Sequence, residues 1–454
     1  MSRRRPSHWI EDWDPEDTQA WERGNARIAR RNLTLSVLSE HIGFSIWSLW
    51  SVLVLFLTPE NGFTFTAGEK FLLIAVPTLV GAALRLPYSH AVTRFGGRDW
   101  TVFASLVLLV PTTLALYAVH HPGAPLWLFL LAGATAGTGG GNFASSMTNI
   151  TTFFPRRRQG WALGLNAGGG NLGVAVIQLV GLLVIATAGD THPSYVIAVY
   201  LPLIALAGVL AAWKMDNVDA VRGAPGAQRE ALTSPDTWWI ALLYIGTFGS
   251  FIGYGFAFGL VLQHQFGATP LEAATFTFLG PLLGSFARPV GGRLADRFGG
   301  ARVTLWTFLA MAAGTGGLLA ASAGGGSFAG FVAAFTALFV LSGLGNGSTY
   351  TMIPAVFALR AEREVTDGQD AARALARARR LSGAVIAIAG AVGALGGVAI
   401  NLAFRAAGGS LAPALWSFLG YYALCMLLTW AVYLRRPPRP ADRTAPAPRQ
   451  TTRV

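Results

Sequence analysis

Apolar residues in this chain neither alternate nor keep to one helical face. They fill runs of about 20 positions, separated by short polar breaks, from residue 33 to residue 434. About 20 helical residues match the hydrocarbon thickness of a bilayer, so each run predicts a membrane-crossing helix. Twelve spans are read near 33–57, 71–92, 101–119, 126–149, 160–188, 195–213, 237–262, 271–292, 302–322, 328–356, 381–404 and 411–434. The polar stretch between spans 6 and 7 divides them six and six. The expected organisation is an arm at 1–32, a six-helix bundle at 33–213, a linker at 214–236, a second six-helix bundle at 237–434 and a disordered tail at 435–454. The fold class is therefore all-α and membrane-embedded. The arm is polar, with no apolar core, and is expected as a cytoplasmic segment lying on the membrane surface rather than a cleavable signal peptide.

The two halves repeat one another. Arg85 lies in AVPTLVGAALRLPYSHAVTRFGG and Arg288 in TFLGPLLGSFARPVGGRLADRFGG, a register of 203 residues, and each stands nine residues before an arginine that opens R-F-G-G. The G-x-G-N at Gly139 to Asn142 matches Gly343 to Asn346, and Gly170-Asn171-Leu172-Gly173 matches Gly393 to Gly396 once a charged helical insertion at 360–380 is allowed for. An arginine at the centre of a membrane helix costs roughly 2.5–3.5 kcal/mol on insertion scales. Two at equivalent places in two half-molecules imply a central pocket for an anion. Repeated halves with a site at their interface are the plan of carriers that rock one half against the other.

Charge fixes the expected orientation. Of 34 Lys and Arg, Arg85 and Arg288 lie well within spans, only Lys70 and Arg405 fall in odd-numbered loops, and the others lie in the tails and even-numbered loops, with Arg302 at the edge where loop 8 enters span 9. Positive residues favour the cytoplasmic side, so both termini and the even loops are expected there, in an inner or plasma membrane. The net charge of +12 is spread over many loops and reads as topology and contact with anionic lipid, not as nucleic-acid binding. A charged fraction of 12% is about half that of a soluble protein.

Small residues at four-residue spacing stack on one helix face and let backbones approach closely. Gly137/Gly141, Gly164/Gly168, Gly169/Gly173, Gly343/Gly347 and Gly393/Gly397 follow that spacing. They read as tight packing or as smooth seams that slide during alternating access. Glu40 and His41 in span 1 would titrate if buried, and otherwise form a hydrogen-bonding pair. The seven histidines form no metal cluster with cysteine or acid. No paired carboxylates, P-loop or C-x-x-C suggests an enzyme, and no cofactor is expected.

The segment GTGGGNFASSMTNITTFFPRRRQGWALGLNAGGGNLGVAVIQ (137–178) resembles the nitrate/nitrite porter (NarK-type) family of the major facilitator superfamily. The likeness continues through LLYIGTFGSFIGYGFAF (242–258), ARPVGGRLADRFGG (287–300), GLGNGSTYTMIP (343–354) and SGAVIAIAGAVGALGG (382–397), and covers roughly residues 33–434. It implies a pseudo-twofold fold of twelve helices. By the resemblance, Arg85 and Arg288 are the substrate arginines, Phe143 the aromatic of span 4, Tyr244 and Phe248 the aromatic pair of span 7, and Asn171 the signature asparagine of span 5. The span 11 signature matches Gly390 to Gly397 more loosely. The segment Gly291 to Arg302 is similar to the superfamily's cytoplasmic loop signature. There Asp296 would pair with nearby arginines across the helix ends, and Thr93 stands where the first half would carry the matching acid.

The resemblance implies a monomeric carrier of nitrate and nitrite. Two like charges facing each other would hinder an empty carrier from reorienting, which favours exchange of the two anions. Proton symport through Glu40, or carriage of another small oxyanion, are the alternatives.

Overall fold

A computed structural model describes residues 8–219, 226–323, 327–408 and 410–435. The expected disordered tail lies outside the described residues from 436 onward. Helix dominates, and among the described residues ten helices are long and apolar enough to cross a membrane. The two remaining spans of the expected twelve are the fourth, Leu126–Phe153, and the eighth, Pro270–Thr277 continued by Leu279–Phe298. Span 4 is diluted by its glycines and Asn142. Span 8 carries Arg288, Arg293, Asp296 and Arg297. The motif residues themselves make these two spans less apolar.

Spans 2 and 8 are built alike. Span 2 (Ala67–Phe95) starts on a capping box in which Thr66 and Glu69 satisfy each other's backbone N–H groups. Span 8 starts on the same box from Thr269 and Glu272. Such boxes fix where a helix begins by satisfying otherwise orphaned donors. Both spans end at a glycine with positive φ, Gly96 at 95° and Gly299 at 90°, a conformation that side chains disfavour.

The glycine pairs bring spans into backbone contact. A side chain at Gly343 would strike the carbonyl of Gly284, and one at Gly347 the carbonyl of Arg288. Gly137 and Gly141 pack on Val80, Leu84 and Tyr88 of span 2, while Gly139 faces Gly43 of span 1. Spans 2 and 4, and spans 8 and 10, are thereby locked together. Gly169, Gly170 and Gly173 face Val37, Glu40 and His41 of span 1. Gly164 and Gly168 differ: nothing lies within 4 Å of where their side chains would begin, so they form no seam in this conformation.

The halves meet at the end that carries the odd-numbered loops. Phe71 of span 2 stacks on Phe404 of span 11 at 5.8 Å, Gln263 donates to the Leu55 carbonyl at 3.3 Å, and Gln178 donates to the Gly255 carbonyl at 2.6 Å. At the opposite, basic end, Gly160, Gly164 and Gly383 face open space.

The arm docks on the first bundle. Trp9–Ile10 pairs in parallel with Asn217–Val218 of the linker. Trp13 donates to the Thr152 carbonyl at 3.1 Å and packs edge-on against Phe153, while Trp21 meets Phe154. Asp216 receives Arg31 and Asn32. These residues form a second small core with Leu33, Val92 and Ile150, so the helix of span 1 is supported from Ala26 rather than from residue 33. The 360–380 insertion is helical, as expected, but it is a continuation of spans 10 (Phe328–Thr366) and 11 (Ala371–Ala407). The linker helix Ala227–Leu232 docks there through Glu230, which receives Arg377 at 2.6 Å and Arg380 at 2.5 Å. The hydrogen bond from Arg377 holds the Glu230 carboxyl below its ordinary pKa.

The glycine contacts predict opposite responses to substitution. Gly343→Val should destabilise the protein by about 1–3 kcal/mol or prevent folding, through overpacking against span 8. Gly164→Ala should leave the melting temperature in detergent unchanged.

Candidate functional site

The centre of the molecule is lined by the helices that the repeat singles out. Arg85 sits between Pro77 and Pro87 on span 2 and is fully buried. Its guanidinium carbon lies 4.6 Å from the ring of Phe143, 4.9 Å from Phe248 and 5.6 Å from Trp47. Its Nη1 donates to the carbonyl of Gly390 at 2.8 Å, across the boundary between the halves. That bond leaves Nε and Nη2 buried without partners among the described residues. These two donors share one edge of the guanidinium and form the parallel fork that suits two oxygens of a planar anion.

Arg288 approaches from span 8. Its Nη2 donates to the Tyr244 hydroxyl at 3.3 Å, and its Nη1 is buried without a partner among the described residues. Tyr244 stacks on Phe248 at 5.1 Å with 10° between the rings, and Phe248 faces Phe143 at 6.3 Å. A chain of contacts therefore runs from Arg85 through Phe248 and Tyr244 to Arg288, and the two guanidinium groups interact electrostatically. Span 7 reaches this geometry through a π-helical turn at Ile245–Gly249, directly after Tyr244. Such bulges re-aim side chains and recur at functional sites. Gly249 lets the turn press against Gly393 and Gly396 of span 11.

The remaining expected residues divide. Gly390 touches Arg85 and Phe143, Gly393 lies on the Tyr244 ring, and Gly397 sits against Ile252 and Thr78. Asn171 is fully buried, and among the described residues both its amide atoms are unpartnered and no hydrogen bond joins it to the arginines. Asp296 is exposed and makes no ion pair among the described residues, so the expected latch is not formed in this conformation. Glu40 is fully buried. One oxygen accepts from Ser146 and from Asn166 Nδ2 at 2.5 Å, and the other has no partner among the described residues. Glu40 also interacts electrostatically with Arg85 and Arg288. The His41 ring bonds to the Gly169 carbonyl at 3.0 Å and ties span 1 to span 5.

Sequence reasoning missed Trp47, Tyr350 and the carbonyl of Gly390. The Tyr350 ring lies 5.3 Å from the Arg288 guanidinium carbon. Its place four residues after Asn346 puts it on the same helix face, which was the available signal. No pattern in side-chain types could flag a backbone carbonyl.

The model of the Major Facilitator Superfamily matches residues 41–399. The chain is 39% identical to a nitrate/nitrite transporter, NarU, of Salmonella typhimurium, over 95% of this chain and 97% of that one. It is 32% identical to a probable nitrate/nitrite antiporter, NarK2, of Thermus thermophilus, over 94% and 97%. Among solved structures, a D-xylose-proton symporter aligns over 89% of this chain and 97% of its own with a TM-score of 0.64 at 16% identity, a likeness of fold alone.

Gly390→Val should push on Nη1 of Arg85, which lies 3.1 Å from where the new side chain would begin. Displacing the fork should weaken oxyanion binding about tenfold, the scale of one charge-assisted hydrogen bond, measured by calorimetry on purified protein.

Proposed function

This chain belongs to the nitrate/nitrite porter branch of the Major Facilitator Superfamily, and we propose that it works in the cell membrane as a monomer that exchanges nitrate for nitrite. It is a transporter of nitrate and nitrite, not an enzyme. In the proposed orientation the basic end and both termini face the cytoplasm, as the lysine and arginine distribution favours. The Phe71–Phe404 contact then closes the outer side.

One observation carries the reading: two arginines from matching spans of the two halves converge on one aromatic-lined centre, each with a buried donor left unpaired. Nitrate is small, planar and singly charged. The Arg85 edge would take two of its oxygens, Arg288 Nη1 would reach it from the other half, and Phe143 and Phe248 would cover its faces. An opposite charge about 4 Å away gains roughly 4 kcal/mol at an effective dielectric of 20. That attraction offsets the repulsion between the guanidinium groups. In the exchange reading Glu40 takes no part in coupling. The bound anion offsets the repulsion within the guanidinium pair, so the loaded carrier reorients more readily than the empty one.

A second reading is favoured by the position of Glu40 itself. Its unpartnered oxygen and its interaction with both arginines suit a group that takes up a proton with each anion. That scheme is nitrate/proton symport.

Arg85→Lys and Arg288→Lys should each cut nitrate transport in proteoliposomes by about a hundredfold or more with folding intact, because an ammonium cannot form the paired contact. Near-normal flux in either variant would remove the mechanism. Glu40→Gln separates the coupling schemes. Under exchange, nitrate/nitrite counterflow persists in the variant, and wild-type uptake leaves an imposed pH gradient untouched. Under symport, uptake dissipates that gradient and the variant loses it. Tyr244→Phe should weaken nitrate binding by about 1 kcal/mol, one hydrogen bond.

A further inference from the structure

The two anions differ in their oxygens. Nitrate has three around a planar nitrogen, and nitrite has two. The Nε–Nη2 edge of Arg85 serves two oxygens at once and so cannot tell them apart. Discrimination must come from donors on the other side of the site. Arg288 Nη1 is one such donor. The Tyr244 hydroxyl already accepts from Arg288 Nη2 and retains its own proton to give.

Tyr350 of span 10 faces the same point. Its ring centroid lies 6.4 Å from that of Tyr244 and 5.3 Å from the Arg288 guanidinium carbon. Its hydroxyl is buried with no hydrogen-bond partner among the described residues. A phenol left unpaired in such a setting is unfavourable unless a ligand completes it.

The repeat supports this assignment. Asn142 of the first half matches Asn346 of the second, so Ser146, four residues on, matches Tyr350. Ser146 is short, and its hydroxyl is spent on Glu40 within the first bundle. At the matching place the second bundle carries a longer side chain, whose hydroxyl lies beside the arginine pair without an internal acceptor.

We propose that Tyr350 contacts the bound anion and that its hydroxyl favours nitrate over nitrite by serving the oxygen that nitrite lacks. This rests on the arginine pair being the anion site. Tyr350→Phe removes one oxygen from the side chain and keeps the ring, so the fold is retained, and a melting curve checks this. Calorimetry on the purified full-length protein with sodium nitrate and sodium nitrite should show nitrate affinity falling about tenfold and nitrite affinity changing less than about twofold. Tyr200→Phe, which also removes a buried tyrosine hydroxyl but in span 6 of the first half, should move neither. Equal losses for both anions in Tyr350→Phe, or no loss for either, would overturn the proposal. Failure of the unaltered protein to bind either anion would instead count against the site reading itself.

Discussion

The bond from Arg85 Nη1 to the Gly390 carbonyl governs the centre of this molecule. It crosses from one bundle to the other, and it decides which edge of the guanidinium faces inward. A buried arginine with all its donors satisfied internally would be a structural strut. Here one donor is spent on the partner bundle, and the two on the opposite edge are held in place and left over. The aromatic contacts with Phe143, Phe248 and Trp47 supply the cation–π stabilisation that makes such a charge tolerable in an apolar surround. The same contact therefore positions the fork and joins the halves. Any rocking motion must keep or remake it.

The two bundles share a plan but not a finish. In the first, Ser39 bonds Ser105, Asn142 bonds Ser39, and Glu40 receives Ser146 and Asn166, while the amides of Asn149 and Asn171 are buried without partners among the described residues. The arm adds a second core at the basic end of that bundle alone. In the second, Asn346, the Thr349 hydroxyl and the Tyr350 hydroxyl are buried without partners among the described residues.

Most of this architecture was legible in the residues. Span length, the polar break between spans 6 and 7 and the internal repeat point to the six-and-six plan. The register between Arg85 and Arg288 picked out the pair before any coordinates. Resemblance, not periodicity, singled out Phe143, Tyr244 and Phe248, since buried aromatics in a membrane helix look like ordinary core. What stayed hidden depended on backbone geometry. The π-helical turn after Tyr244 has no signature beyond its glycines, and Gly390 acts through its carbonyl. The arm reads as a polar segment with no apolar core, and nothing in it shows where Trp13 and Trp21 dock. Their partners, Thr152, Phe153 and Phe154, lie more than a hundred residues away. Asn171 and Asp296 were named for roles that this conformation leaves unformed.

The matched capping boxes have a consequence for how this protein tolerates change. Thr66 and Thr269 each stand 19 residues ahead of their arginine, so both guanidinium groups are measured from the same kind of starting peg. An α-helix turns by about 100° and advances about 1.5 Å with every residue. Adding or deleting one residue between peg and arginine in either half would swing that side chain about a quarter of the way around its helix, toward a neighbouring span or toward lipid. Length over these two stretches is therefore under a stricter constraint than the identity of most residues within them.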